Sequence, residues 1–196
     1  MIERIVELFF QMLCLFFFKK KNLEKKIVRE LRILNVVIDE DHLLASRRNS
    51  KYYLDIKKSF GYPRFLILYS IYIAKYIYKK EYTCIAVSGY GGIPIGVILS
   101  VFLGVNIVYI RNSLKDHGMM ETYLDGYKPD ESDVILFLDD VFTTGGSLET
   151  IINIIKEERG SKIGAIFVLV RRIEGTLPQI YGMRVGNLLT SEDLVQ

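Results

Sequence analysis

The sequence predicts an α/β fold in which helices flank a doubly wound, mostly parallel sheet. Short apolar strands alternate along the chain with helical patterns, which is the order of repeated strand–helix–strand units. The strands are continuously apolar, as in a sheet that is covered on both faces. Two of them lead into glycine-rich turns that open helices. Because ligands of such folds bind at the carboxyl ends of the strands, we expect both turns at the edge of the sheet that binds a ligand.

Length and composition fit one domain with a sizeable core, since half of the 196 residues are hydrophobic. The net charge of +3 comes from mixed signs along the chain. Nucleic-acid-binding domains usually carry a strongly basic stripe, so no nucleic acid partner is expected. The two cysteines, Cys14 and Cys84, lack metal-ligand spacing, which argues against zinc and favours a reducing cytoplasm without a disulfide.

Residues 1–22 are predicted to form an apolar, helical N-terminal extension ahead of a domain at residues 23–196. Residues 5–18 are strongly apolar, and three lysines follow them. The run is shorter than the roughly 20 residues needed to cross a bilayer. Its charges follow the apolar run, unlike those of a secretory signal. We favour a helix packed on the domain or on a second subunit over membrane contact of this helix, which stays open as the second interpretation.

The first elements of the domain follow from hydrophobic periodicity. Residues 23–34 place apolar side chains every three or four positions, which predicts an amphipathic helix. Within residues 43–58, apolar and polar side chains alternate from Tyr52 to Lys57, which predicts a half-exposed hairpin or edge strand. Residues 65–78 are apolar almost all round, as in a buried helix.

The following segments alternate between strands and helices. Cys84–Ser88 is a short apolar strand, and the sequence SGYGGIP comes directly after it. Its glycines permit backbone conformations closed to other residues, and Pro94 suits the first turn of the next helix. Asn106–Ile110 and residues 162–170 are two further buried strands. A purely structural role of the glycine turn stays open, because such turns are common between strands and helices.

A long polar connection separates Ile110 from Val134. Long connections inside compact domains tend to be functional lids or disordered segments. Arg111, Lys115 and His117 lie on this one, so we expect a mobile arm that can close over an anion and neutralise its charge.

The central stretch is VILFLDDVFTTGGS, residues 134–147. An apolar strand at residues 134–138 ends in Asp139 and Asp140, and the Thr-Thr-Gly-Gly-Ser turn then opens a helix. Unpaired amide groups and the helix dipole make that turn a phosphate cradle. Two carboxylates can accept hydrogen bonds from a ribose diol or lie near a phosphate-bound magnesium ion. A ribose 5-phosphate would satisfy both features, whereas a helix cap and a simple turn are the structural alternative.

In this order the motifs resemble the phosphoribosyl pyrophosphate (PRPP) signature of the type I phosphoribosyltransferases. The segments SRRNSKYYLD, SGYGGIP, RNSLKDHG, FLDDVFTTGGS and VLVRRIEG are similar to orotate phosphoribosyltransferase over about residues 23–196. The resemblance implies the type I fold with a small N-terminal hood region, PRPP and orotate as substrates, Mg2+ as cofactor and a cytoplasmic homodimer. It also implies transfer of 5-phosphoribose to N1 of orotate, which gives orotidine 5′-monophosphate and diphosphate in pyrimidine biosynthesis.

The resemblance also implies roles for individual residues. It assigns catalysis to Lys115, His117, Asp139 and Asp140. It assigns PRPP binding to Gly91, Gly92, Arg111, Lys115, His117, Asp139, Asp140, Val141, Phe142, Thr143, Thr144, Gly145, Gly146 and Ser147. It assigns orotate binding to Ser46, Arg48, Tyr52, Tyr53, Thr143 and Arg172. Magnesium would be held mainly by PRPP, near Asp139 and Asp140, with no direct protein ligand.

Five residues depart from the family pattern: Ala45, Arg47, Gly91, Asn112 and Arg171. Ala45, Gly91 and Asn112 stand where other members of the family have basic residues, so fewer cations surround the diphosphate. Two alternative functions therefore stay open. One is a PRPP- or nucleotide-binding regulatory homologue with weak catalysis, and the other is a phosphoribosyltransferase for another base.

Overall fold

A computed structural model describes residues 19–39, 42–43, 49–50, 52–77, 81–111, 123–143, 145–159, 161–172, 179–180 and 183–195. The helices are α1 (Lys20–Ile33), α2 (Pro63–Ile77), α3 (Gly89–Leu103), α4 (Gly146–Arg159) and α5 (Glu192–Val195), with a 3-10 helix at Ile56–Gly61. The short strands are β1 (Val37–Ile38), β2 (His42–Leu43), β3 (Asn49–Ser50), β4 (Tyr53–Leu54), β7 (Leu124–Gly126) and β10 (Gln179–Ile180). The longer strands are β5 (Cys84–Ser88), β6 (Asn106–Ile110), β8 (Val134–Phe142), β9 (Lys162–Arg171) and β11 (Met183–Thr190).

A seven-stranded sheet has the order β10-β11-β9-β8-β5-β6-β7. Its inner strands, from β11 to β6, are parallel, and the edge strands β10 and β7 are antiparallel. The chain moves outward from β5 to β6 on one side and from β8 to β9 on the other, so its winding reverses between β5 and β8. This reversal is the topological switch point at which α/β sheets bind ligands. The predicted doubly wound, mostly parallel sheet is confirmed.

Helices cover both faces of the sheet, as strands with side chains alternating between two buried faces require. Ile85 and Val87 of β5 belong to the core cluster formed with α1, α2 and α3. Ala86 of the same strand and Phe137 of β8 belong to the second cluster, which includes the apolar face of α4. Two cores therefore hold β5 and β8 in place. Functional groups at the carboxyl ends of these strands are held in place as well.

The hood region consists of two small antiparallel ladders, β1 with β4 and β2 with β3. The predicted alternating strand from Tyr52 to Lys57 is wrong beyond β4, because the chain turns into the 3-10 helix. Ile56 and Phe60 are buried at helical spacing, and the Asp55 carboxylate accepts a hydrogen bond from the Lys58 N–H at 3.3 Å. A local side-chain cap of this kind competes with strand pairing.

The remaining elements follow the predictions in part. Helix α1 begins at Lys20, so the proposed domain boundary at residues 22 and 23 falls inside it. The edge strand β7 lies in the connection predicted to be loop, and β11 was not predicted. Residues 1–18 and 112–122, with Lys115 and His117, lie outside the described residues. In the described part of the chain, no helix is long and apolar enough to span a membrane.

Candidate active site

The acidic pair lies on an extension of β8 beyond the end of β5. The β5–β8 ladder ends at Val87 and Leu138, whereas β8 continues beside β9 as far as Phe142. The prediction that the strand ends at Leu138 is therefore wrong, because β9 continues to provide hydrogen-bond partners. Each carboxylate accepts the next backbone N–H: Asp139 Oδ1 from Asp140 at 2.9 Å and Asp140 Oδ1 from Val141 at 2.8 Å. These bonds fix both side chains at the switch point.

The glycines of SGYGGIP bring the start of α3 against this extension. The helix begins at Gly89, so the predicted glycine loop is its first turn, and Pro94 lies beyond that turn. Gly89 has a φ of +61°, which confirms the prediction for that glycine, whereas Gly91 and Gly92 provide space rather than an unusual φ angle. A Cβ atom on Gly91 would lie 2.4 Å from Asp140 Oδ1, and one on Gly92 would lie 2.3 Å from the Leu138 carbonyl oxygen. The unpaired amides of this first helical turn therefore lie beside the acidic pair.

A cavity of about 700 Å³ opens beside these groups and is called the large cavity below. Asp139, Asp140, Gly91 and Arg111 all line it, which brings together four residues predicted to bind PRPP. Arg111 forms an ion pair through its Nε with the Asp125 carboxylate of β7. The volume is in the range of small-molecule sites.

Burial raises the pKa of Asp139 to about 7, and the neighbouring Asp140 carboxylate adds to this effect. The Asp140 N–H and the Lys57 ammonium lower the pKa of Asp139 and partly offset the rise. The phenol of Tyr69 is buried nearby, and burial and the two carboxylates keep its pKa well above the usual range. Asp139 therefore changes charge near neutral pH, which is common among groups that bind or transform ligands.

The predicted phosphate cradle lies at the start of α4. Gly145 has a φ of +86°, which favours glycine, and its carbonyl accepts the Glu149 N–H at 2.9 Å. A small cavity of about 40 Å³ beneath the turn is lined by Asp139, Val141, Thr143 and Gly145, among others. Asp139 thus borders both cavities.

Three predicted residues of the cradle need separate comment. The Phe142 side chain is 3% exposed and belongs to the core, so only its backbone could contact PRPP. Thr144 lies outside the described residues, and only the backbone of Ser147 is described.

Arg172 and Tyr52 meet beside this turn. The Arg172 N–H donates to the Phe142 carbonyl oxygen at 2.9 Å, which places the arginine next to Thr143. Arg172 Nη2 donates to the Tyr52 carbonyl oxygen at 2.5 Å, and Arg172 Cζ lies 4.6 Å from the centroid of the Tyr52 ring. The hood and the sheet therefore share a cationic and aromatic site. Tyr53 lies next to it on β4, whereas Ser46 and Arg48 are outside the described residues.

Comparison with known proteins identifies the family. No protein-family model matches the chain. The chain is 30% identical over 152 residues to orotate phosphoribosyltransferase of Methanosarcina mazei, covering 78% of this chain and 80% of that protein. It is 32% identical to the enzyme of the same name from Methanocaldococcus jannaschii, covering 78% and 84%. The chain belongs to the orotate phosphoribosyltransferase family.

Solved structures confirm the type I phosphoribosyltransferase fold. Orotate phosphoribosyltransferase from Aeropyrum pernix has a TM-score of 0.74 and 24% identity, and the match covers 86% of this chain and 96% of that one. The Mycobacterium tuberculosis orotate phosphoribosyltransferase solved with PRPP has a TM-score of 0.71 and 18% identity, with 89% and 99% covered. The hood and the central sheet are therefore the architecture of this family.

Two residues at the candidate site of this orotate phosphoribosyltransferase family member were not predicted from the sequence. Lys57 lines the large cavity, although the alternating pattern placed it on a half-exposed hairpin or edge strand. The spacing of Ile56 and Phe60 was the signal for a helical turn at that point. Asp125 holds Arg111 at the cavity, and the Asp-Gly dipeptide at positions 125 and 126 was the only local sign of a structured turn.

Proposed function

We propose that the protein is an orotate phosphoribosyltransferase of the cytoplasm that converts orotate and PRPP to orotidine 5′-monophosphate and diphosphate in UMP biosynthesis. The observation that carries the proposal is the meeting of three groups at one edge of the sheet. These are the acidic pair of β8, the glycine turn at α4, and Arg172 with Tyr52. Relatives named for this reaction support it, as does a structural neighbour solved with PRPP.

PRPP fits this arrangement group by group. The 5-phosphate would lie on the turn at Thr143 and Gly145, where the amides and dipole of α4 favour an anion. The ribose diol would donate hydrogen bonds to Asp139 and Asp140. The diphosphate would extend into the large cavity, toward Arg111 and the first turn of α3.

Orotate fits the site shared by the hood and the sheet. A guanidinium can hold a carboxylate through two parallel hydrogen bonds, which suits Arg172 to the orotate carboxylate. The face of Tyr52 can stack on a pyrimidine ring. Uracil lacks the carboxylate, so these contacts would select orotate. Thr143, adjacent to Arg172 in space, would join the phosphate site to the base site.

The residues present fit a magnesium ion that is held mainly by the ligand. Carboxylate oxygens are ligands that Mg2+ prefers, and Asp139 and Asp140 offer them at the cavity. In the described ranges, no group of three or more histidine, cysteine, aspartate or glutamate side chains could hold a metal ion. The diphosphate and water would supply most of the ligands of the ion. When bound, Mg2+ would neutralise charge on the departing diphosphate.

The reaction needs positioning and charge stabilisation rather than a covalent enzyme intermediate. N1 of orotate loses its proton and forms the new bond to C1′ as the bond from C1′ to the diphosphate oxygen breaks, through an oxocarbenium-like transition state. The N1 proton passes to the departing diphosphate or to water. Lys115 and His117, on the predicted mobile loop, would neutralise charge on the leaving group. Lys115→Ala should therefore lower kcat far more than it lowers PRPP affinity. Equal losses in both would argue against a loop that acts in the transition state.

A substrate panel tests the proposal. The purified chain is incubated with PRPP and Mg2+ and, in turn, with orotate, uracil or hypoxanthine, and diphosphate release is measured. The double variant Asp139→Asn/Asp140→Asn is the inactive control. Release with orotate alone supports the proposal. Release only with another base would identify a different phosphoribosyltransferase, and PRPP binding without release would identify a regulatory protein.

We also propose a homodimer in which residues 112–122 reach the neighbouring subunit's site, as the family resemblance implies. Lys115→Ala and Asp139→Asn each inactivate a different part of such a shared site. Random mixing of the two variants should restore about a quarter of wild-type activity, because half of the dimers would hold one intact site. No recovery in verified mixed dimers would show that the loop serves its own subunit.

A further inference from the structure

Lys57 is placed in the large cavity by the 3-10 helix that follows the hood. The helix is anchored by Ile56 and Phe60, which are 1% and 9% exposed. The buried Ser59 hydroxyl donates to the Ile56 carbonyl oxygen at 2.6 Å and stiffens the turn. Lys57 therefore lies on a fixed backbone, with an exposed side chain that lines the same cavity as Gly91 and Asp139.

The surroundings of Lys57 leave its charge available for an incoming anion. Lys57 is near enough to Asp139 to lower the pKa of that carboxyl, but no ion pair between described residues includes Lys57. Arg111, the other cation that lines the cavity, is already paired with Asp125. Among the described lining residues, Lys57 is thus the cation without a salt-bridge partner.

The acidic groups of the large cavity make positive charge necessary for the binding of an anion. Asp139, Asp140 and Glu157 all line the large cavity, so an anion bound there needs compensating positive charge. The amides at the start of α3 supply partial positive charge near Gly91. The Lys57 side chain is flexible, so its ammonium adds a positive point charge that can move into contact with a phosphate group.

We propose that Lys57 binds the diphosphate group of PRPP in the large cavity. This inference rests on the proposed function, since it names a further ligand-binding residue for the same substrate. The Lys57 ammonium contacts the diphosphate, while the ribose diol donates hydrogen bonds to the neighbouring carboxylates of Asp139 and Asp140. A lysine from the 3-10 helix after the hood thereby completes a diphosphate site whose other walls come from the central sheet, α3 and α4.

Calorimetric titration of Lys57→Met with three probes, in the presence of Mg2+, tests the assignment. The probes are PRPP, inorganic pyrophosphate and ribose 5-phosphate. Lys57→Met should bind PRPP and pyrophosphate about 10- to 100-fold more weakly than wild type, because a hydrogen bond to a charged group is lost. Ribose 5-phosphate lacks the diphosphate, so its affinity should stay unchanged. Lys57→Arg should retain most of the pyrophosphate affinity.

Lys58→Met is the matched control, because Lys58 is the exposed neighbour on the same 3-10 helix and does not line the large cavity. Its affinities for all three probes should equal those of wild type. Unchanged pyrophosphate affinity in Lys57→Met would overturn the assignment. An equal loss for ribose 5-phosphate would also overturn it, because Lys57 would then act through the Asp139 carboxylate or the fold. A wild-type protein that binds no PRPP would overturn the proposed function as well.

Discussion

Asp139→Asn should stabilise the protein at neutral and alkaline pH and leave its stability unchanged in acid. Burial and Asp140 raise the pKa of Asp139 from 3.8 to about 7 on folding. The folded state therefore binds a proton more tightly than the unfolded chain, so wild-type stability falls as the pH rises from about 4 to about 7. A shift of about three units corresponds to at most about 4 kcal/mol, at about 1.4 kcal/mol per unit. Asparagine removes the charge and keeps the Oδ1 acceptor for the Asp140 N–H.

Urea unfolding followed by circular dichroism at pH 4.5 and pH 8 measures this difference, since the chain has no tryptophan for a fluorescence assay. The variant's gain should be several times larger at pH 8. Asp130→Asn is a control of opposite sign, because the Ser132 hydroxyl and N–H lower the pKa of Asp130. Asp130→Asn should lose stability only at pH values above the pKa that the Asp130 carboxyl has in the folded protein. A gain in Asp139→Asn that is equal at both pH values, or a loss at pH 8, would refute the reasoning.

Four further predictions concern single residues, namely two glycines, an arginine and a cysteine. Gly91→Ala should weaken PRPP binding at least tenfold and lower the melting temperature, since its Cβ would displace the hydrogen-bonded carboxylates of Asp139 and Asp140. Gly92→Ala should lower the melting temperature, because its Cβ would lie 2.3 Å from a backbone carbonyl oxygen. Gly61→Ala should change neither PRPP binding nor the melting temperature, because no atom lies within 4 Å of its Cβ. Arg172→Lys should raise the KM for orotate in steady-state assays more than the KM for PRPP, because lysine lacks the bidentate fork. Cys84 should resist thiol reagents until the protein is unfolded, because burial raises its pKa to about 12; reaction in the native state, measured with the other cysteine changed to serine, would contradict this.

Most of the parallel strands were predictable because burial on both faces leaves a continuous apolar signal. Cys84–Ser88 and Asn106–Ile110 have the predicted bounds for this reason. The parallel strand β11 was not predictable, because arginine, glycine and asparagine interrupt its apolar run. The length of β8 was not predictable, because Asp139 and Asp140 look like the end of a strand, and only the partner β9 shows that pairing continues. Lys57 escaped detection because an alternating pattern over a few residues cannot distinguish a strand from a 3-10 turn.

The chemistry of the candidate site arises from a mismatch in strand length. Because β5 ends at Ser88 and the chain turns at once into α3, the last part of β8 pairs only with β9 among the described strands. The N–H groups of Asp140 and Val141 donate to the Asp139 and Asp140 carboxylates, which are thus part of the backbone structure as well as candidate ligand groups. An aspartate held this way keeps its position even where its charge is destabilising, because removing the side chain would leave an amide without a partner. The fold thereby retains the Asp139 carboxylate although its charge lowers the stability of the folded state, and the ligand supplies the compensating hydrogen bonds.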